Sequence, residues 1–389
     1  GIGEPGLLSI PERPIILLKK RATCDAALPG VTSGLGWLGV MMPCTPLQYL
    51  LFHEAAGRPQ GTGWLDQPQK LALVMTGADP GGEPLVIGNN EALLRLSGIA
   101  DVFLLHDREI QARCDDSIAR SGPGGLQLVR RARGYTPRAI KLPRSSPPLL
   151  AVGGWFKNTV CVTRGDEAFV SQHIGDLDNA AACDFFETSI SHLLKFLEIK
   201  PALVAHDLDR SFHSTRYALE FARHRGVPAL AVQHHHAHIA SVLAEHRIDA
   251  PVIGLALDGI GLGTDGGFWG GELMRVDGAL MERLGHLAPI QLAGDQALRE
   301  PWRLAAAVLQ QLGRGKEIGR RFAKQRSAAS VEKLLVSGDN CPSTSSLGCY
   351  INAAAGLLGV KSMMIFDGQA AELLEGMSEQ YGDVLPLND

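Results

Sequence analysis

Four of the 13 histidines in this chain fall within five residues, in Gln233-His-His-His-Ala-His238. If the helix expected over Ile239–His246 begins just before them, His234 and His238 leave one face about one turn apart. That is metal-ligand spacing. The short apolar runs Pro228–Gln233 and Val252–Leu257, on either side of this helix, read as buried strands. Strand, helix and strand in so little chain imply a crossover between parallel strands. Ligands of open α/β sheets collect at the carboxyl ends of such strands, where the two histidines would meet Asp258.

Glycines 259, 261, 263, 266 and 267 follow Asp258. At that density backbone N–H groups can approach an anion closely. The third glycine of a dinucleotide fingerprint would fall on Thr264, so a phosphate-holding hairpin fits better than a Rossmann turn.

A chain of 389 residues is long enough for two or three domains. With 37 Lys+Arg against 41 Asp+Glu, it offers no global basic field for nucleic acid. Its 7 cysteines never pair as C-x-x-C, which argues for a reducing cytosol and against a zinc finger or disulfide frame. No apolar run is long enough to span a membrane.

Glu12–Arg21 reads as a strand ending in positive charge, so Lys20 and Arg21 are either an anion contact or a solvated strand end. Leu71–Met75 and Asp101–Leu105 read as further strands, and Asn90 as the cap of a helix between them. After the first lies the loop Thr76-Gly-Ala-Asp79. After the second come Arg108 and Arg113, at a ligand site or on a salt-bridged surface. Residues 144–148, Arg-Ser-Ser-Pro-Pro, mark the domain boundary. Beyond it, strands at Leu149–Gly154, Thr159–Thr163 and from Ala168 suggest an antiparallel meander. A helix carrying Phe186, Ile190 and Leu193, with a start signal at Asp184 and Glu187, follows it. Meander, helix, strand, helix, strand is the order of an actin-like, ribonuclease-H-like half-domain. Such domains bind ATP phosphates in hairpin turns.

QHHHAH and LDGIGLGTDGGFWGGE, joined to the segments around Lys157-Asn158 and Ser171–Asn179, resemble the HypF carbamoyltransferase family over nearly the whole chain. The resemblance implies an α/β fold. Residues 1–143 would be part of a YrdC-like twisted-sheet domain, 144–148 a linker, and 149–389 an incomplete actin-like domain. It further implies a cytoplasmic enzyme that uses ATP with Mg2+ to turn carbamoyl phosphate into carbamoyl-adenylate. The carbamoyl group would pass to the C-terminal cysteine of HypE, for the cyanide ligands of nickel–iron hydrogenase. Metal ligands carried over from the family fall on His234, His238 and Asp258, a donor set that suits Zn2+ or Fe2+. His235 and His236 point elsewhere on the turn. Asp258, Lys157 and Asn158 would serve catalysis. Gly259, Gly261, Gly263 and Asn352, with Lys20, Arg21, Thr76, Asp79, Arg108 and Arg113, would serve nucleotide and phosphate.

The chain also departs from the family pattern. Thr76-Gly-Ala-Asp79 stands where the family shows Thr-Ser-x-Asn, which removes donors and adds a repulsive charge toward an anionic nucleotide. Asn352 replaces a carboxylate, and Pro386-Leu-Asn-Asp389 only faintly resembles the family's last metal segment. Neither an acylphosphatase domain nor zinc-finger modules are seen. Two alternatives follow: a shortened, non-catalytic HypE-binding module, and tRNA threonylcarbamoylation by kinship of both domains.

Overall fold

The computed structural model describes residues 4–381 except positions 22, 33 and 123. The segment 386–389 therefore lies outside the described residues. Three sheets organise the chain. In the first, Ile15–Lys19 lies between Trp37–Val40, antiparallel to it, and Ile118–Gly122, parallel to it, with Gly125–Arg130 at the edge. Its core is small, centred on Leu7, Ile16 and Ala119. Thr45 starts the helix Pro46–Ala55 with a reciprocal capping box through Gln48. The helix Asn89–Arg95 begins after Gly88, so Asn90 lies inside it rather than capping it.

Two expected strands are absent. Leu71–Met75 and Asp101–Leu105 are irregular, with Val74 78% and Val102 83% exposed. Both are apolar runs that found no neighbouring backbone. An extended segment becomes a strand only where a partner supplies the ladder hydrogen bonds.

The second sheet runs in the order Ile140–Ser146, Cys161–Val170, Leu149–Ala151, Leu203–Asp207, Ala229–Val232. Cys161–Val170 doubles back at Gly165, whose φ is 61°. The Ser171 N–H donates to Val160 O at 2.8 Å across the reversal. The expected meander is thus present, and the last two strands run parallel to Leu149–Ala151 beyond it. Chain assigned to the linker belongs partly to this sheet, since Ser146 pairs with Gly165. Helix Ala180–Phe196 opens earlier than Asp184, on an Asn179 side chain that accepts from Ala182 N at 2.9 Å. It packs Phe186, Ile190 and Leu193 against Leu150, Val162 and Val204.

Helix His234–Glu245 leads from this sheet to the third, where Val252–Leu262, Phe268–Asp277 and Leu280–His286 form a second meander. Ala229–Val232 and Val252–Leu262 lie in different sheets, which corrects the parallel crossover expected between them. Helices Pro301–Gln311 and Leu347–Leu357 cover it, with a core around Trp302, Leu304, Leu309 and Ala353. Among the described residues no helix is long and apolar enough to cross a membrane.

A buried ion pair ties two strands of the third sheet together and, through Ser345, holds the segment that precedes helix Leu347–Leu357. Glu272 is fully buried. It accepts from Gly270 N at 2.9 Å, Gly271 N at 3.2 Å, Arg283 Nε at 2.6 Å and the Ser345 hydroxyl. Removing Arg283 would strand this carboxylate. Arg283→Met is expected to cost about 3–5 kcal/mol in urea unfolding, and the double change Arg283→Met/Glu272→Gln to recover part of it. A single variant as stable as the parent would contradict this.

Candidate metal centre

Helix His234–Glu245 begins on Gln233, whose side chain accepts from His236 N at 2.9 Å. Extended backbone therefore turns helical at His234, and the imidazoles of His234 and His238 fall one above the other. Asp258 reaches them from within the strand Val252–Leu262, where a bulge between Leu257 and Gly261 interrupts the ladder. His234 Nε2 lies 3.1 Å from His238 Nε2 and 3.2 Å from Asp258 Oδ2, which is 3.0 Å from His238 Nε2. With metal bonds of about 2.1 Å, ligand atoms stand about 3.0 Å apart at right angles and about 3.4 Å at the tetrahedral angle. The triad has the dimensions of one face of a coordination polyhedron.

Asp207 ends the strand Leu203–Asp207 and is buried. Its Oδ2 lies 2.7 Å from His234 Nδ1, so that nitrogen keeps a proton, and Nε2 is the one that would give its lone pair to a cation shared with Asp258 and His238. Asp258 turns its other oxygen, Oδ1, to the Gly259 N–H at 2.7 Å.

Without a cation these groups hold one another's charge. The His234 pKa is pushed up from 6.5 to about 9, first by the hydrogen bond to Asp207 and then by that to Asp258. Burial alone would raise Asp258, but hydrogen bonds from His234 and His238 outweigh it and hold its carboxyl well below the usual range. Burial pushes His235 down to about 4.

The glycines serve closeness. A Cβ on Gly261 would come within 2.8 Å of His235 Cε1 and 3.0 Å of His234 Cβ. In the hairpin turn, the Gly263 N–H donates to Gly267 O and the Gly267 N–H to Asp265 Oδ1. These donors are engaged within the turn, so the open anion cradle expected there is corrected to a closed turn. Gly259 is different: nothing would meet a Cβ there, so it faces open space. Helix Leu347–Leu357 points its N-terminus at this spot, with the Ser346 hydroxyl donating to Asp258 O at 3.2 Å. Asn352 sits half-buried on the same helix.

Asn158 is buried, and its amide donates to Val152 O at 3.0 Å and Gly154 O at 2.8 Å, fixing the loop that runs beside His234. Lys157 is exposed and carries a left-handed φ of 47°, its N–H donating to Asp176 Oδ1 at 2.7 Å. The residues of the first half stand apart from the triad. Lys20 is occupied by the Asp25 carboxylate and by Thr32 O at 2.7 Å, which corrects the reading of it as a free anion contact. Arg113 donates to Leu85 O at 2.6 Å and lies over the Phe185 ring. Arg21, Thr76, Asp79 and Arg108 are exposed. No hydrogen bond or ion pair joins any of these to the triad among the described residues. Asp207 escaped the sequence reading, although polar residues at a strand's carboxyl end were its signal.

Three family models match the chain in succession. "Telomere recombination", the Sua5/YrdC domain, matches residues 4–132, "HypF Kae1-like domain" residues 144–245, and "Carbamoyltransferase, Kae1-like Domain, second subdomain" residues 254–387. A relative from Cupriavidus necator, "Carbamoyltransferase HypF2", is 62% identical over 98% of this chain and 48% of its own length. "Carbamoyltransferase HypF" of Rhizobium leguminosarum bv. viciae is 41% identical over 96% of this chain and 48% of its own. A crystal structure of full-length HypF in a phosphate- and nucleotide-bound form superposes with a TM-score of 0.85 at 39% identity, covering 96% of this chain and 56% of that one. The chain spans about half the length of the curated relatives it matches.

The raised His234 pKa makes a prediction for chelator-treated protein. Its stabilising contribution is complete below pH 6.5 and lost as pH rises through about 9. Urea unfolding across that window should show falling stability, and Asp207→Asn should flatten the slope. A parent profile already flat over the window would refute the Asp207–His234 pairing.

Proposed function

The chain belongs to the HypF carbamoyltransferase family, and from that premise we propose that it carries a carbamoyl-transfer site of nickel–iron hydrogenase maturation, built on His234, His238 and Asp258. The convergence of these three donors within 3.0–3.2 Å is the observation that carries the reading. We assign the YrdC-like part to residues 1–143 and the actin-like part to 149–389, and place the protein in the cytoplasm.

The substrates in this proposal are ATP with Mg2+ and carbamoyl phosphate; the carbamoyl group leaves its phosphate behind as orthophosphate and ends on the α-phosphate of AMP as carbamoyl-adenylate, with pyrophosphate released. The acceptor is the C-terminal cysteine of HypE. Its thiolate attacks the carbamoyl carbon, a C–S bond forms, and the C–O bond to AMP breaks. His234, His238 and Asp258 would hold Zn2+ or Fe2+, which supplies Lewis-acid polarisation of an oxygen of the carbamoyl or phosphate group. Asp207 keeps His234 in the tautomer that can ligate. The open space at Gly259, faced by the N-terminus of helix Leu347–Leu357, suits an anionic group beside the triad. The loop that Asn158 holds runs past His234 at Gly154, and the exposed Lys157 of the same loop would orient phosphate. Asn352, on the same helix as Gly348, would face the nucleoside as a neutral donor and acceptor.

Gly261 then matters by letting backbone and histidines approach, Gly263 by closing the turn against Trp269 and Asp265, and Gly259 by leaving open space. In the first half, Arg21, Thr76, Asp79, Arg108 and Arg113 remain candidates for a separate nucleotide contact. Lys20 drops out through its pairing with Asp25. That half leaves two apolar runs outside its sheet, which favours as a second reading a chain that docks HypE without completing adenylation by itself.

Metal analysis of purified protein tests the reading. About one Zn2+ or Fe2+ per chain is expected, falling to trace in His234→Ala and His238→Ala. Carbamoyl-phosphate-dependent ATP–pyrophosphate exchange and carbamoylation of the HypE thiol should disappear with it. Unchanged metal content in both variants would overturn the assignment. Full metal with no exchange in the parent would favour the docking reading.

A further inference from the structure

We infer that His235 is a positioning residue for Asp258, holding with an Nε2–H donor the same carboxylate oxygen that His234 and His238 approach. This deepens the metal-site reading and rests on it.

His235 has no exposed surface, and its Nε2 has no hydrogen-bond partner. That atom stands 3.9 Å from Asp258 Oδ2, too long for a hydrogen bond but within a small movement of one. The hydrogen bonds around it settle which nitrogen bears the proton. Gln233 Oε1 accepts from His236 N at 2.9 Å, so its Nε2 is the amide nitrogen. That nitrogen donates to Leu262 O at 3.1 Å and lies 3.0 Å from His235 Nδ1. Nδ1 must therefore accept, and the ring proton sits on Nε2. A protonated Nε2 cannot ligate a cation. It can only donate, and the Asp258 carboxylate oxygen Oδ2 stands 3.9 Å away.

An unsatisfied donor sealed from water costs roughly 1–3 kcal/mol, so its retention next to a carboxylate has a use. When Oδ2 gives one lone pair to a cation, a small closing movement lets a second accept from His235. Oδ1 meanwhile stays with the Gly259 N–H. The carboxylate is then fixed as a one-oxygen ligand. Gly261 is the space that allows this, since a Cβ there would come within 2.8 Å of His235 Cε1.

The test uses the whole chain. Zn2+ affinity is measured by competition with a chromophoric chelator for the parent, His235→Leu, His235→Gln and His234→Ala, with thermal melts to confirm folding. His235→Leu should bind Zn2+ about 10- to 100-fold more weakly, and His235→Gln, whose amide keeps a donor, should recover most of the loss. Equal affinity in His235→Leu and the parent would overturn the proposal. So would a His235→Gln variant that loses the metal as completely as His234→Ala, since His235 would then be a ligand. If His235→Leu fails to fold, imidazole nitrogen shifts of the parent, chelated and labelled at histidine, decide alone. An Nε2–H tautomer is expected, and an Nδ1–H tautomer overturns the proposal. If instead His234→Ala binds Zn2+ as the parent does, the metal reading itself fails, while the tautomer still reports on His235.

Discussion

The structure depends on how closely helix His234–Glu245 lies on strand Val252–Leu262. Two glycines permit it: a Cβ on Gly254 would come within 2.6 Å of Ile239 Cδ1, and one on Gly261 within 2.8 Å of His235 Cε1. Separate the pair by one methyl group and Asp258 no longer reaches both imidazoles. Ile239 packs into a small core with Ala256, Trp269 and Met274, so apolar burial pulls the helix down and the glycines set how far it comes. The site is thus a consequence of packing before it is one of charge.

Charge then arranges what packing brings together. Asp207, His234 and Asp258 form a line of alternating sign that ends at the Gly259 N–H and the start of helix Leu347–Leu357. In a partly dry crevice each member strengthens its neighbour. A cation entering the triad takes over this role from the protons, so metal and proton compete for one set of atoms. The Glu272–Arg283–Ser345 network supports the far side, fixing the segment from which Ser346 reaches Asp258 O.

The triad was legible in the sequence because its information is local: a spacing of four on a helix, and one acid at the end of an apolar run. Asp207 was not, because its place follows from sheet register. Asp207 pairs with Val232, which sets it beside the strand that feeds into His234. The meander and the parallel strands beyond it were legible from apolar runs and turns. Leu71–Met75 and Asp101–Leu105 look equally strand-like, yet strand formation needs a neighbour that composition cannot supply. Lys20 shows the same limit on charge: its positive end was visible, and its pairing with Asp25 depends on the fold of the loop. The density of glycines after Asp258 is visible in the sequence and suggests anion binding, but its cause is steric at Gly261 and a closed turn at Gly263–Gly267, both of which depend on the fold.

Metal-edge X-ray absorption on the purified chain measures the donor set itself. Two imidazole nitrogens and one carboxylate oxygen at about 2.0–2.2 Å, with the edge signal lost along with the metal in His238→Ala, are expected from a site made by His234, His238 and Asp258. Sulfur in the coordination sphere, or a spectrum unmoved by His238→Ala, would contradict it.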